Sequence, residues 1–223
     1  MGNEAFMKRQ IEEKIEQGFR CIKMKIGAID FEKEKALLHF IRQNFDAETM
    51  EIRVDANGAF SENEALDKIN QITGFQIHSI EQPIQKNKTD TMSVLCKNTQ
   101  LPIALDEELI GVFSMADKEA LLQKVRPQYI ILKPSFIGGF RGTSEWIALA
   151  KKYQIGWWIT SALESNIGLN AIAQFTFLQN NPMPQGLGTG ALYTNNFESP
   201  LQVAQGQLWY RNGVEWAFDF NQL

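Results

Sequence analysis

The chain has two cysteines in 223 residues, Cys21 and Cys96, too few for a disulfide framework or for a zinc site by themselves. Each is expected to be a small buried thiol. Histidine is equally scarce. His39 lies within a charged helical segment and His78 early in a strand, without a ligand or triad partner at a recognisable spacing, so both read as structural. Ser161 and Ser165 lie in no nucleophile elbow. FIGGFRG (136–142) lacks the GxGxxG arrangement, which favours a βα loop placing Arg141 near a site mouth over a nucleotide cradle. No basic run with interleaved aromatics occurs, and net charge is −4 with a pI near 5.4, so nucleic acid is not an expected partner. An acidic surface of this kind suits a cytoplasmic protein. No apolar stretch approaches the ~20 residues of a membrane span, and the opening residues lack a signal-peptide core.

What is present is a repeating pattern. Short apolar runs alternate with longer segments of helical periodicity. The runs are RCIKMKIG (20–27), EIRVDA (51–56), IHSIEQP (77–83), PIALDEE (102–108), YIILKPS (129–135), GWWITSA (156–162) and, less clearly, MPQGLGTG (183–190). Strands separated by helices imply a parallel sheet, because parallel neighbours need crossover connections. A polar residue or glycine stands at the C-terminal end of each run: Lys25, Asp55, Glu81, Asp106, Lys133, Ser161 and Gly188, spaced 25 to 30 residues apart. A (β/α)₈ barrel assembles its site in this way, one group per strand, whereas an open sheet gathers its site at one switch point. The expected fold is therefore α/β, a TIM-type barrel over residues 1–206 with one strand uncounted. Alternation should send Trp157 and Trp158 to opposite faces of their strand. Residues 207–223 carry Trp209, Tyr210, Trp216, Phe218 and Phe220, which need an apolar surface to cover them.

Asp55, Glu81 and Asp106 end three successive strands. Adjacent strands lie about 4.8 Å apart, so the three carboxylates can converge on one cation. Hard oxygen ligands suit Mg²⁺, with Mn²⁺ as an alternative. Any one of them alone could equally be a helix-capping loop acid. Asn57 either contacts the ion's water shell or forms a turn with Gly58. Lys23 and Lys25 share one strand face. Inside a barrel, like charge and desolvation would lower a lysine pKa and supply an amine base; on an outer face they would only solubilise. Lys133 follows an apolar run and precedes Pro134, which argues for a buried stem, and it should face Lys25 across the site.

KMK (23–25), VDANGAF (54–60), SIEQP (79–83), ALDEE (104–108) and ILKPS (131–135) together resemble the enolase superfamily, in particular its muconate-lactonising subgroup. The resemblance implies metal ligands at Asp55, Glu81 and Asp106, Lys25 as proton-abstracting base, Lys133 as the opposed lysine and Lys23 as an electrostatic neighbour. SALESNIGL (161–169) and GLGTGALYTNN (186–196) look like the o-succinylbenzoate synthase branch, which dehydrates a cyclohexadiene carboxylate (SHCHC) to 2-succinylbenzoate in menaquinone biosynthesis. In that branch Ser161, Gly188, Thr189 and Gly190 would meet the substrate, the glycine-rich amides holding its succinyl carboxylate; a plain loop is the competing reading. Relatives also carry an N-terminal α+β capping domain and a first barrel strand, both expected to be missing here, with residues 207–223 packing on that cap. The same lysine pair would serve an N-succinylamino acid racemase or a dipeptide epimerase. GTG at 188–190, where an acidic Asp-x-Asp would grip a dipeptide, speaks against the epimerase. A truncated, non-catalytic barrel is the third reading. The expected partner is a small carboxylate, with homo-oligomerisation left open.

Overall fold

A computed structural model describes residues 4–188 and 193–217. Helix and strand alternate in the order α1 (Glu4–Glu16), β1 (Cys21–Lys25), α2 (Phe31–Asn44), β2 (Glu51–Asp55), α3 (Ala65–Ile72), β3 (Ser79–Glu81), α4 (Thr89–Asn98), β4 (Ile103–Leu105), α5 (Met115–Val125), β5 (Tyr129–Leu132), α6 (Gly139–Lys152), β6 (Gly156–Ile159) and α7 (Asn166–Leu178). The six strands pair in sequence order, all parallel, as part of a (β/α) barrel. A seventh position is held by one parallel bridge from Thr160 to Gly186, so the run at 183–190 is a bridge and not a full strand. An antiparallel hairpin follows, β7 (Leu201–Ala204) and β8 (Gln207–Tyr210), turning at Gln205 and Gly206. Trp209 and Tyr210 stand half exposed on it. Thr189, Gly190, Phe218 and Phe220 lie outside the described residues.

The strands are apolar toward the helices and polar toward the barrel interior, because successive side chains point to opposite faces. Ile22, Met24, Ile52, Val54, Ile80, Ile103, Leu105, Ile130, Leu132, Trp157 and Ile159 pack outward into one large core with the helices. Ala104, Ile131 and Trp158 form a second, small interior cluster backed by Tyr129 and Met183. Trp157 and Trp158 thus divide between the two layers as alternation requires. Helix starts are set by local caps: Asp30 accepts from the amides of Glu32 and Lys33, Ser114 from Asp117, and Ser165 from Gly168. This gives Ser165 its structural use.

Some expectations need adjusting. α4 buries only Met92, Leu95 and Cys96, while Val94 points to solvent. Arg141 is not in a loop. Helix α6 begins at Gly139, and Arg141 sits exposed on its first turn, paired with Glu145 one turn later. Cys96 is buried but Cys21 is only half-buried; both thiols are free, and burial pushes each up to about 12. His39 lies edge-on to Phe75, and His78 packs between Tyr129 and Trp158. Among the described residues no helix is long and apolar enough to cross a membrane.

Trp146 is fully buried in the outer core. Trp146→Ala should cost about 3–5 kcal/mol, the usual range for emptying so large a core site. Urea denaturation would register this as a lower midpoint with an unchanged slope.

Candidate active site

The parallel register brings the polar strand ends into a row. Lys25 is level with Asp55, and Asp55 with Glu81. Glu81 pairs with Ala104, so Asp106 continues the row two residues further along the next strand. Asp55, Glu81 and Asp106 are each at most 2% exposed.

Three lysines answer these acids. Lys23 Nζ bridges Asp55 Oδ2 at 2.8 Å and Glu81 Oε2 at 2.5 Å. Lys25 Nζ meets Asp55 Oδ2 at 2.5 Å and also donates to the Asn57 side-chain oxygen. At the other end of the row, half-buried Lys133 pairs with Asp106. Lys25 and Lys133 therefore stand at opposite ends of one line of carboxylates.

The pKa directions follow from burial and charge. Desolvation opposes the charge on Lys23, but Glu81 and Asp55 outweigh it and hold its pKa above the ordinary lysine value. This reverses the lowering expected from lysine–lysine repulsion, because the nearer charges are carboxylates. Burial raises Asp55 as well, yet Lys23 and Lys25 overcome it and keep that carboxyl below its usual range. Glu81 goes the other way. Its desolvation, together with Asp55 and Asp106, defeats the attraction of Lys23 and lifts its pKa well above normal.

The surrounding loops fix these groups. Asn57 and Gly58 both have left-handed φ angles, 43° and 72°, the Asn-Gly turn that the sequence left as one of two readings. The turn lets the Asn57 amide donate to Asp55 Oδ1 at 2.9 Å, while Nδ2 donates to Glu107 Oε1 at 2.8 Å. Gln82, 1% exposed, accepts from the Asp106 and Glu108 amides and donates to Glu108 Oε2 at 3.1 Å. Gln82, Glu107 and Glu108 were not singled out from sequence. Their signal lay in the quoted motifs SIEQP and ALDEE, but buried amide–carboxylate pairs have no periodicity of their own. Ser161 donates to the Gly186 carbonyl at 3.3 Å, and exposed Gly188 shares with Lys23 the lining of a cleft of about 800 Å³.

Among the described residues no group of three acidic, histidine or cysteine side chains is arranged to grip a metal ion outright. The donor set nonetheless suits a hard divalent cation: three carboxylates on neighbouring strands, with Glu81 Oε1 buried and lacking any hydrogen-bond partner.

Residues 6–214 match the family described as enolase C-terminal domain-like. The chain is 56% identical over 208 residues to the o-succinylbenzoate synthase of Desulfotalea psychrophila, covering 93% of this chain and 56% of that protein. Identity to the L-Ala-D/L-Glu epimerase of Bacillus subtilis is 27% over 177 residues, 78% of this chain and 47% of that protein. The crystal structure of MenC from Desulfotalea psychrophila superposes with a TM-score of 0.87 at 55% identity, over 93% of this chain and 57% of that one. A muconate lactonizing enzyme superposes at 0.82 with 26% identity, over 99% of this chain and 62% of that one. The match spans 47% to 62% of the length of these relatives.

Because Glu81 has a raised pKa when folded, it is neutral in folded and unfolded forms at low pH. Stability is then lost as pH rises past the ordinary value of 4.5. In chelator-treated protein, Glu81→Gln should remove that loss, so its stability relative to wild type grows from pH 4 to pH 8 in denaturant titrations. A pH-independent difference would refute the assignment.

Proposed function

Since the chain belongs to the enolase C-terminal domain-like family, we propose that it carries the site of a Mg²⁺-dependent dehydratase acting on SHCHC to give 2-succinylbenzoate. The observation that carries this reading is the row of three buried carboxylates with a lysine at each end. The 56% identity to an o-succinylbenzoate synthase supports the substrate.

Asp55, Glu81 and Asp106 would hold the ion. When bound, Mg²⁺ supplies positive charge to the substrate carboxylate, offsetting the second negative charge that appears when the neighbouring proton leaves. Lys23 is kept charged by Glu81 and Asp55 and serves as electrostatic neighbour. Lys25, nearer the strand end, takes the α-proton at Nζ and returns it to the departing hydroxyl on the same face. Proton and hydroxide leave together as water, so the lysine ends as it began. Lys133, paired with Asp106 on the other side, holds the ring by charge and cation–π attraction. Asn57 orders Lys25 through its side-chain oxygen. Ser161, Gly188, Thr189 and Gly190 are assigned to the succinyl end. The substrate is a small carboxylate.

Two opposed lysines equally suit racemisation, in which each serves one face of the α-carbon. This second reading, an N-succinylamino acid racemase, draws on that symmetry, and the 27% identity to an epimerase extends it to related chemistry.

Purified protein supplied with SHCHC and, separately, with N-succinyl amino acids distinguishes the two. Turnover of the amino acids alone would overturn the dehydratase reading. Lys25→Ala should lower dehydration by about 10²- to 10⁴-fold, the usual weight of a general base, and Asp106→Ala should abolish Mg²⁺ binding in calorimetry. α-Proton exchange at the wild-type rate in Lys25→Ala would show that another group is the base.

A further inference from the structure

One interior residue takes no part in the chemistry above. Arg53 shares β2 with Asp55 and, two residues earlier, points to the same barrel face. It is 5% exposed. Its Nε meets Glu51 Oε1 at 2.6 Å, and its guanidinium carbon lies 3.9 Å from the centre of the Trp158 ring on β6. Its Nη1 donates to the Pro184 carbonyl at 3.1 Å. Its Nη2 has no hydrogen-bond partner.

Barrel interiors are normally filled by branched apolar side chains, and burying a guanidinium is costly even when one ion pair offsets it. The contacts show what this one accomplishes. Strands β2 and β6 stand four places apart in the sheet, so Arg53 joins opposite walls through the middle of the barrel. Pro184 lies two residues before Gly186, which makes the single bridge to Thr160. Further hydrogen bonds from this segment run to β6 and to Ser161 just after it. Asn181 donates to the Trp157 carbonyl, the Ile159 amide donates to Gln185, and Gly186 exchanges backbone bonds with Ile159 and Ser161. These bonds fix the segment along β6. They do not set its distance from β1, with which it shares no ladder among the described residues. Arg53 supplies that restraint, and a planar fork that can bond in two directions while stacking in a third suits the task as lysine does not.

We propose that Arg53 is a positioning residue, tying residues 184–188 to β2 and so placing the Gly188 backbone against Lys23 and the carboxylate row. This deepens the proposed function, since the role of Gly188 toward a second carboxylate rests on that reading. Lys23 and Gly188 line one cleft, whose other walls come from α1, the start of β1 and the hairpin and not from the carboxylates.

The test compares wild type, Arg53→Lys and Arg53→Met. Hydrogen exchange read by mass spectrometry should quicken about tenfold across residues 184–188, as loss of one charge-assisted hydrogen bond implies. Exchange in β1 to β3 should stay unchanged. Calorimetry should find Mg²⁺ affinity within about twofold of wild type, while 2-succinylbenzoate binds about tenfold more weakly, a 1.4 kcal/mol difference. Arg53→Lys keeps the charge and provides the measurement if Arg53→Met does not fold. Unchanged exchange at 184–188, an equal rise in every strand, or undiminished 2-succinylbenzoate binding beside faster local exchange would each overturn the proposal. If wild type does not bind 2-succinylbenzoate, the substrate reading falls, and the exchange pattern alone decides the role of Arg53.

Discussion

Asp55, Glu81 and Asp106 end three successive strands almost wholly out of water, so the repulsion between neighbours must be met by positive charge inside the barrel. The lysines provide it. Lys23 spans two of the acids, Lys25 shares Asp55 with it, and Lys133 takes Asp106. The balance is uneven along the row. Asp55, with two lysines, is held ionised, while Glu81, between two other acids, is driven toward its protonated form. A further positive charge beside Glu81 would bring its pKa back down. The pKa pattern and the unpaired Glu81 oxygen both follow from that one electrostatic constraint.

The constraint is sustained by the fold on the other side of each strand. Ile52 and Val54 flank Arg53 on β2 and pack outward, so the apolar contact that anchors β2 to the helices also forces Arg53 and Asp55 inward. Ile80 does the same between Ser79 and Glu81. Burial of these acids is thus the reverse side of ordinary core formation. The interior is polar near the strand ends and is closed beneath them by Trp158, Tyr129, Ala104 and Ile131, with Arg53 stacked on Trp158.

Much of this was legible in the residues. The six paired strands fall inside the apolar runs, and the strand-end residues form one row because a period of two and a shared register leave few other arrangements. The split of Trp157 from Trp158 followed from the same rule. What sequence did not disclose depends on contacts between distant loops. Gln82 reaching Glu108 in the interior, and Asn57 reaching Glu107 at the surface, are pairings of polar atoms that no spacing announces. The seventh strand was only faintly patterned and is a single bridge. For Lys23 the pKa runs opposite to the lowering expected, because like-charged neighbours are visible along a strand, whereas carboxylates across the ladder become close only once the register is known. Arg141 was placed in a loop because three glycines masked the start of α6.

The strict division of each strand into an anchoring face and a chemical face also governs how such a molecule can change. A residue gained or lost within β2 would turn Val54 into the pocket and Asp55 into the oil, ending fold and activity together. The stretches beyond the strand ends carry no such alternation. Lengthening the loop around Phe113 or that around Phe136, both already solvent-facing, leaves the strand register untouched. Selection for new ligands is therefore channelled into the turns above the row, while the row itself stays fixed in kind and in place.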